Sequence, residues 1–166
     1  MSATDQYVEA LTHLKAGELG LLRTHAGLGL DESVDGFDLF AGIWWPLREK
    51  NERAPRREVA WLIAKLYAFC PIMHSPGDYF ACQLGLCQPN DERERRRYQG
   101  RFDQLLLLPI GLIEPALHLA LDNIASKSPR VDWVKLTDDL SIWERERTRL
   151  RWAEQFLQIN ERTRSC

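Results

Sequence analysis

"DERERRRYQGRFDQLLLL", residues 91–108, sets five arginines in the nine positions from Arg93 to Arg101 and then runs straight into leucine. Tyr98, Phe102 and Leu105 recur at intervals of four and three, which at 100° per residue places them on one face of a helix. Asn90 or Asp91 stands where an N-cap belongs, and acids fill the first turn, where the macrodipole favours them. The arginines therefore lie along the body of a helix and do not cap its end. Arg97 and Arg101 flank the apolar stripe on one side, with Arg93 one turn back. Arg95 lies on the other flank, and Arg96 faces away. Three guanidiniums one turn apart rise by about 6 Å per step, close to the phosphate spacing of an extended single strand.

The same helical period extends through the rest of the chain. "YVEALTHLKAGELGLL" puts Tyr7, Val8, Leu11 and Leu14 on one face, with Gly17 as punctuation. "DGFDLFAGIWWPLREK" carries Phe37, Phe40, Ile43, Trp44 and Leu47, and Pro46 is expected to bend or end it. "PRREVAWLIAKLYAFCP" starts with Pro55 near a first turn, stops before Pro71 and presents Val59, Leu62, Ile63, Leu66 and Phe69. "PIMHSPGD" reads as a loop whose Asp78 can cap "YFACQLGLC". After Leu108, Pro109 and Gly111 break the run, and a helix restarts at Pro115 with Leu117, Leu121 and Ile124 inward. Asp132 can cap "WVKLTDDLSIW". A last helix, "ERERTRLRWAEQFLQI", runs to about Ile159 and leaves "NERTRSC" as a frayed tail. No strand-like alternation of useful length occurs. The expected fold is all-α, about eight helices in two bundled lobes, residues 1–88 and 89–166.

Composition is that of a soluble protein: 45% hydrophobic, 28% charged, net charge −2 over 166 residues. The average conceals blocks. Residues 1–50 hold four basic and eight acidic side chains, whereas residues 51–101 hold nine and six. Residues 102–126 have three acids and no Lys or Arg, and residues 127–166 have nine basic against seven acidic. Such local blocks can bind a polyanion although the whole chain is slightly acidic. Met1 to Tyr7 is polar and lacks a signal-peptide core, and the longest apolar stretch, Leu105 to Ile113, is too short to span a bilayer. Cys70, Cys82, Cys87 and Cys166 follow no secretory framework, which fits a reducing, cytoplasmic setting.

The second basic run, "WERERTRLRW", pairs Arg145 with Arg149 and Arg147 with Arg151 at helical spacing, beside Trp143 and Trp152. Arginines interleaved with aromatics suit single-strand binding, where bases stack and phosphates pair, although tryptophan at helical spacing is more often core. Charge runs, too, are more often a solvated face than a site. Catalytic signals are weak. Cys70-x3-His74 with Cys82-x4-Cys87 could be drawn as a zinc site, but the spacing matches no common module, and Cys82 and Cys87 point apart on a helix. His13, His25 and His118 are isolated, and Asp138-Asp139 is a lone acidic pair. No Gly-rich phosphate loop, HExxH or nucleophile elbow occurs. The residues indicate neither an active site nor a metal or other cofactor.

Segments spread in order along the chain resemble the small subunit of the type I-E CRISPR surveillance complex (Cascade), the CasB family. They are "HLKAGELGLLRTHAG", "FDLFAGIWWPL", "VAWLIAKLYAFCP", "ERRRYQGRFDQLL" and "SKSPRVDWVKLTDDLSIWERERTRLRWAEQFL". The resemblance implies a non-catalytic helical protein that dimerises within the complex, alongside the other Cascade subunits and the crRNA. It also implies a grip on target DNA, the displaced strand above all. Carried over position by position, the family's basic face falls on Arg23, Arg101, Lys127, Arg149 and Arg151; helix geometry adds Arg97 and Arg147. Family members often carry arginines on the helix matching residues 115–125, yet "PALHLALDNIA" has only His118, which implies a narrower track. Two other classes remain open on the residues alone: a helical adaptor that binds only proteins, and a small zinc enzyme.

Overall fold

A computed structural model describes residues 1–32 and 34–164. In chain order the first helices are α1 (Ala3–Thr12), α2 (Ala16–Arg23), α3 (Val34–Lys50) and α4 (Arg57–Phe69), with a 3₁₀ turn at Leu30–Glu32. Strand β1 (Met73–His74), α5 (Phe80–Leu86) and α6 (Glu92–Leu107) follow. A 3₁₀ turn at Ile110–Leu112 leads to α7 (Glu114–Lys127), β2 (Arg130–Val131), α8 (Trp133–Ser141) and α9 (Glu146–Arg164). The described residues thus hold nine α-helices and one two-residue parallel pair, β1 with β2, and the chain is all-α. None of these helices is long and apolar enough to cross a membrane.

Two compact units divide the chain, and both are discontinuous. The first joins residues 1–71 to 133–141; the second joins residues 72–132 to the segment from Ile142 onward. A single cut after residue 88 does not describe them. The reason is packing partners: α8 lies against α1 and α4, whereas α5 lies against α9.

In the first unit α4 is the centre. Every residue from Val59 to Ala68 is buried, a wider surface than the single predicted stripe, because α2, α3 and α8 cover it from several sides. Phe69, expected in that stripe, is 42% exposed at the helix end. The Tyr7 hydroxyl donates to the Ala60 carbonyl, and Trp61 and the buried Lys65 both donate to the carbonyl of Leu28, tying the 24–29 loop down. Pro46 does not end α3, which continues to Lys50. Its missing N–H falls on the solvent side, where Gly42 and Pro46 are exposed and water can take the freed carbonyl. Phe37 on the same helix is exposed, while Phe40 and Trp44 are buried and stacked at 5.5 Å.

The Thr4 hydroxyl donates to Asp138 Oδ1 at 2.8 Å, linking α1 to α8. Asp138 as a whole is exposed, but its carboxyl is partly covered, and that burial raises its pKa; the Thr4 bond and the Lys135 charge only partly oppose the shift. A carboxyl held above its unfolded pKa favours folding below about pH 3.9 and loses that contribution as pH rises through the folded value. Asp138→Asn, which keeps an acceptor for Thr4, is therefore expected to gain stability relative to the parent between pH 4 and pH 7. Thermal melts at the two pH values measure this; a difference in Tm that does not move with pH would count against it.

In the second unit α5 packs on α9. Phe80 meets Trp152 at 5.0 Å, Trp152 meets Trp143 edge-on at 4.8 Å, and the Trp143 indole donates to the Leu108 carbonyl at 2.8 Å. Asp78 does not cap α5. Its carboxylate accepts from the Ser75 hydroxyl at 2.5 Å within the preceding turn, and Tyr79 takes the cap position without a side-chain bond. Helix α9 begins at Glu146, after a turn at Ile142–Arg145, and its backbone stays helical to Arg164, past the expected end near Ile159. Cys70, Cys82 and Cys87 are free thiols; Cys166 lies outside the described residues.

Candidate nucleic-acid interface

Helix α6 is held by an N-cap and by three side chains on one face. Asp91 caps its N-terminus by accepting from the Glu94 N–H at 3.0 Å. The Tyr98 hydroxyl donates to the Leu84 carbonyl of α5 at 2.6 Å, and burial raises the pKa of that phenol. One turn on, Phe102 stacks on Phe156 of α9 at 4.1 Å with the rings 7° from parallel, and Leu105 is buried below it. The expected inward face, Tyr98, Phe102 and Leu105, is the observed one.

With α6 fixed this way, its five arginines separate by what they touch. Arg95 Nε donates to the Pro89 carbonyl at 3.1 Å and closes the loop before the helix. Arg96 pairs with Glu92 at 2.7 Å on the solvent side. Arg93, Arg97 and Arg101 are exposed and make no ion pair among the described residues. These are the three guanidiniums one turn apart that the sequence spacing predicts.

The second basic run has a different environment. Thr148, Trp152 and Phe156 form the buried stripe of α9, and Arg149 and Arg151 flank it half-buried. Arg149 Nε is shielded from solvent and has no hydrogen-bond acceptor among the described residues. Arg147 is exposed in the first turn, and Glu146, Arg147, Leu150, Arg151 and Glu154 together line a surface depression of about 500 Å³. Two carboxylates are thus interleaved with the arginines there. Trp143 and Trp152 are 2% and 1% exposed, so they are core and offer no face to a stacking base.

Lys127, in the last turn of α7, spends one N–H on the Cys87 carbonyl at the end of α5, at 3.0 Å. The Cys87 thiol is pushed up in pKa by burial, and the Lys127 charge works against that shift. Arg23 lies exposed in the last turn of α2, in the other unit. Among the described residues no three His, Cys, Asp or Glu side chains gather as metal ligands would. Sequence reasoning missed an apolar groove between α6 and α7, although its signal was present: four consecutive leucines at 100° per residue cannot all face one core.

These features define a class: an all-α protein of two compact units that presents unpaired guanidiniums on a rigid helix. Residues 18–157 match the sequence profile of the family described as CRISPR-associated protein Cse2, and the chain belongs to that family. Its fold is similar to that of CasB from M. ruber, with 21% identity, a TM-score of 0.76 and 99% of each chain covered. CasB from Thermus thermophilus is 22% identical with a TM-score of 0.70, over 95% of this chain and 99% of that one. CasB from Thermobifida fusca is 16% identical with a TM-score of 0.71, over 93% and 94%. None of the curated proteins compared with the chain matches it significantly.

Proposed function

We propose that this protein is the small subunit of a type I-E Cascade complex, acting in the cytoplasm as a dimer beside the other subunits and the crRNA. It has no catalytic step of its own. Its work is to hold the DNA backbone when the R-loop opens, the displaced strand above all, through Arg23, Arg97, Arg101, Lys127, Arg147, Arg149 and Arg151. In RNA-guided recognition the guide reads sequence by pairing, and backbone contacts from protein tip a near-balanced strand exchange. Such a subunit needs cations at phosphate spacing and no apparatus for reading bases.

The observation that carries this reading is the row of exposed, unpaired guanidiniums on α6 in a chain of the Cse2 family. Arg97 and Arg101 are its strongest members. Lys127 is exposed and retains N–H groups beyond the one given to Cys87. The test is affinity purification of the tagged chain from its native cells, with all bound protein and RNA identified. Recovery of a multi-subunit complex holding a short RNA of uniform length is the expected result. Recovery of the chain alone would reject the assignment.

A further inference from the structure

Between α6 and α7 the second unit carries an open groove of about 470 Å³. Leu84 of α5, with Phe102, Leu105 and Ala120, makes a buried floor. Leu107 and Leu119 stand on the rims, 77% and 49% exposed. Its lining is mostly apolar, with Gln104 and Asn123 at the side; among the described residues Arg101 is the one charged side chain along it, and it has no ion pair there.

A phosphate backbone offers nothing to fill such a surface, because its contacts are polar and leave the leucines in water. The groove and its single cation call for an occupant that is apolar along one side and carries a carboxylate at one edge. From Tyr98 to Leu108 the α6 wall is about 15 Å long, which is about three turns of helix at 1.5 Å per residue. A third helix laid into the groove between two others is also the ordinary way to bury ridges of leucine.

We propose that the α6–α7 groove is a docking site for an amphipathic helix of another protein, with leucine-type side chains at i, i+3 or i+4 and i+7 seated between Leu105, Leu107 and Leu119, and an acidic side chain paired with Arg101. Arg101 then belongs to two surfaces, the edge of the groove and the end of the arginine row. With the groove filled it faces a carboxylate, and Arg93 and Arg97 remain open to phosphate. This inference stands on the groove and its charge, independently of nucleic-acid binding.

The test uses the intact chain and a fluorescein-labelled designed helical peptide of this pattern, made with Glu or with Lys at the position facing Arg101. The Glu peptide is expected to bind with a Kd on the order of 10 µM. The Lys peptide should bind about tenfold more weakly, and Arg101→Glu should reverse that preference. Leu119→Glu, at a half-exposed position that the fold tolerates, should abolish peptide binding and leave single-strand DNA affinity unchanged. Failure of both peptides to bind at about 200 µM would overturn the proposal. So would binding indifferent to the charge swap and to Leu119→Glu, or displacement of the bound peptide by a second copy of the chain. Loss of DNA affinity in Leu119→Glu would also overturn it, because the groove would then belong to the nucleic-acid track.

Discussion

Gly85→Ala is expected to lower the melting temperature by about 2–4 °C, equivalent to roughly 1 kcal/mol for a chain of this size. A Cβ at Gly85 would lie 2.8 Å from the Phe156 carbonyl oxygen and 3.5 Å from its carbonyl carbon. Both atoms are helix backbone, so the clash cannot be relieved by turning a side chain. Helices α5 and α9 must separate, and overpacking of this kind costs about 1–3 kcal/mol. The gain in helix propensity from alanine, about 1 kcal/mol, offsets only part of it. The separation also disturbs the Phe80–Trp152 contact and the Phe156 ring on which Phe102 rests.

Gly100→Ala is the matched control. It too lies inside a helix, but nothing stands within 4 Å of the added carbon, so the same propensity gain should leave it neutral or slightly stabilising. Circular-dichroism melts of the two variants give the answer. Equal shifts would mean that the close α5–α9 approach contributes nothing and that the substitutions act only through propensity.

Much of the fold was legible because helical period survives in a single sequence. The face of α6 could be read from Tyr98, Phe102 and Leu105 since only one angle satisfies all three. Partnership was not legible. Nothing local in "WVKLTDDLS" says that α8 joins α1 and α4 in the first unit, because an apolar stripe does not name what covers it. Nor does a stripe say when a helix is covered from several sides, as α4 is. Pro46 does not stop α3, because the cost of a proline depends on whether the freed carbonyl meets water, which is a property of exposure. The arginines were identifiable as a group, but their sorting depends on backbone carbonyls: Pro89 takes Arg95, and Cys87 takes Lys127. Such acceptors carry no side-chain signature. The tryptophans of the second run look alike whether they stack on bases or on each other, and packing decided for the core.

Reversing Arg97 and Arg101 together to Glu is expected to weaken binding of a labelled single-stranded DNA by more than tenfold while leaving the helix content and melting temperature unchanged. Both side chains are exposed and make no ion pair among the described residues, so the fold loses no ion pair. Each phosphate neutralised on a single strand contributes about 0.7 to the slope of log affinity against log salt, so losing two should flatten that slope by about 1.4. Arg96→Glu is the internal standard: its guanidinium already faces Glu92 on the solvent side, so its reversal should have a much smaller effect on the slope. An anisotropy titration across salt concentrations separates the cases. If the double variant kept both its affinity and its slope, the α6 row would be an ordinary solvated face, and any grip on DNA would have to come from Arg23, Lys127 and the α9 arginines. If it lost affinity with no change in slope, the loss would come from a distorted surface, since counterion release would be intact. A loss matched by the flatter slope, and indifferent to base composition, is the signature of guanidiniums meeting phosphates. With Trp143 and Trp152 buried, this chain's second basic run has no indole to add a stacking preference to that signature.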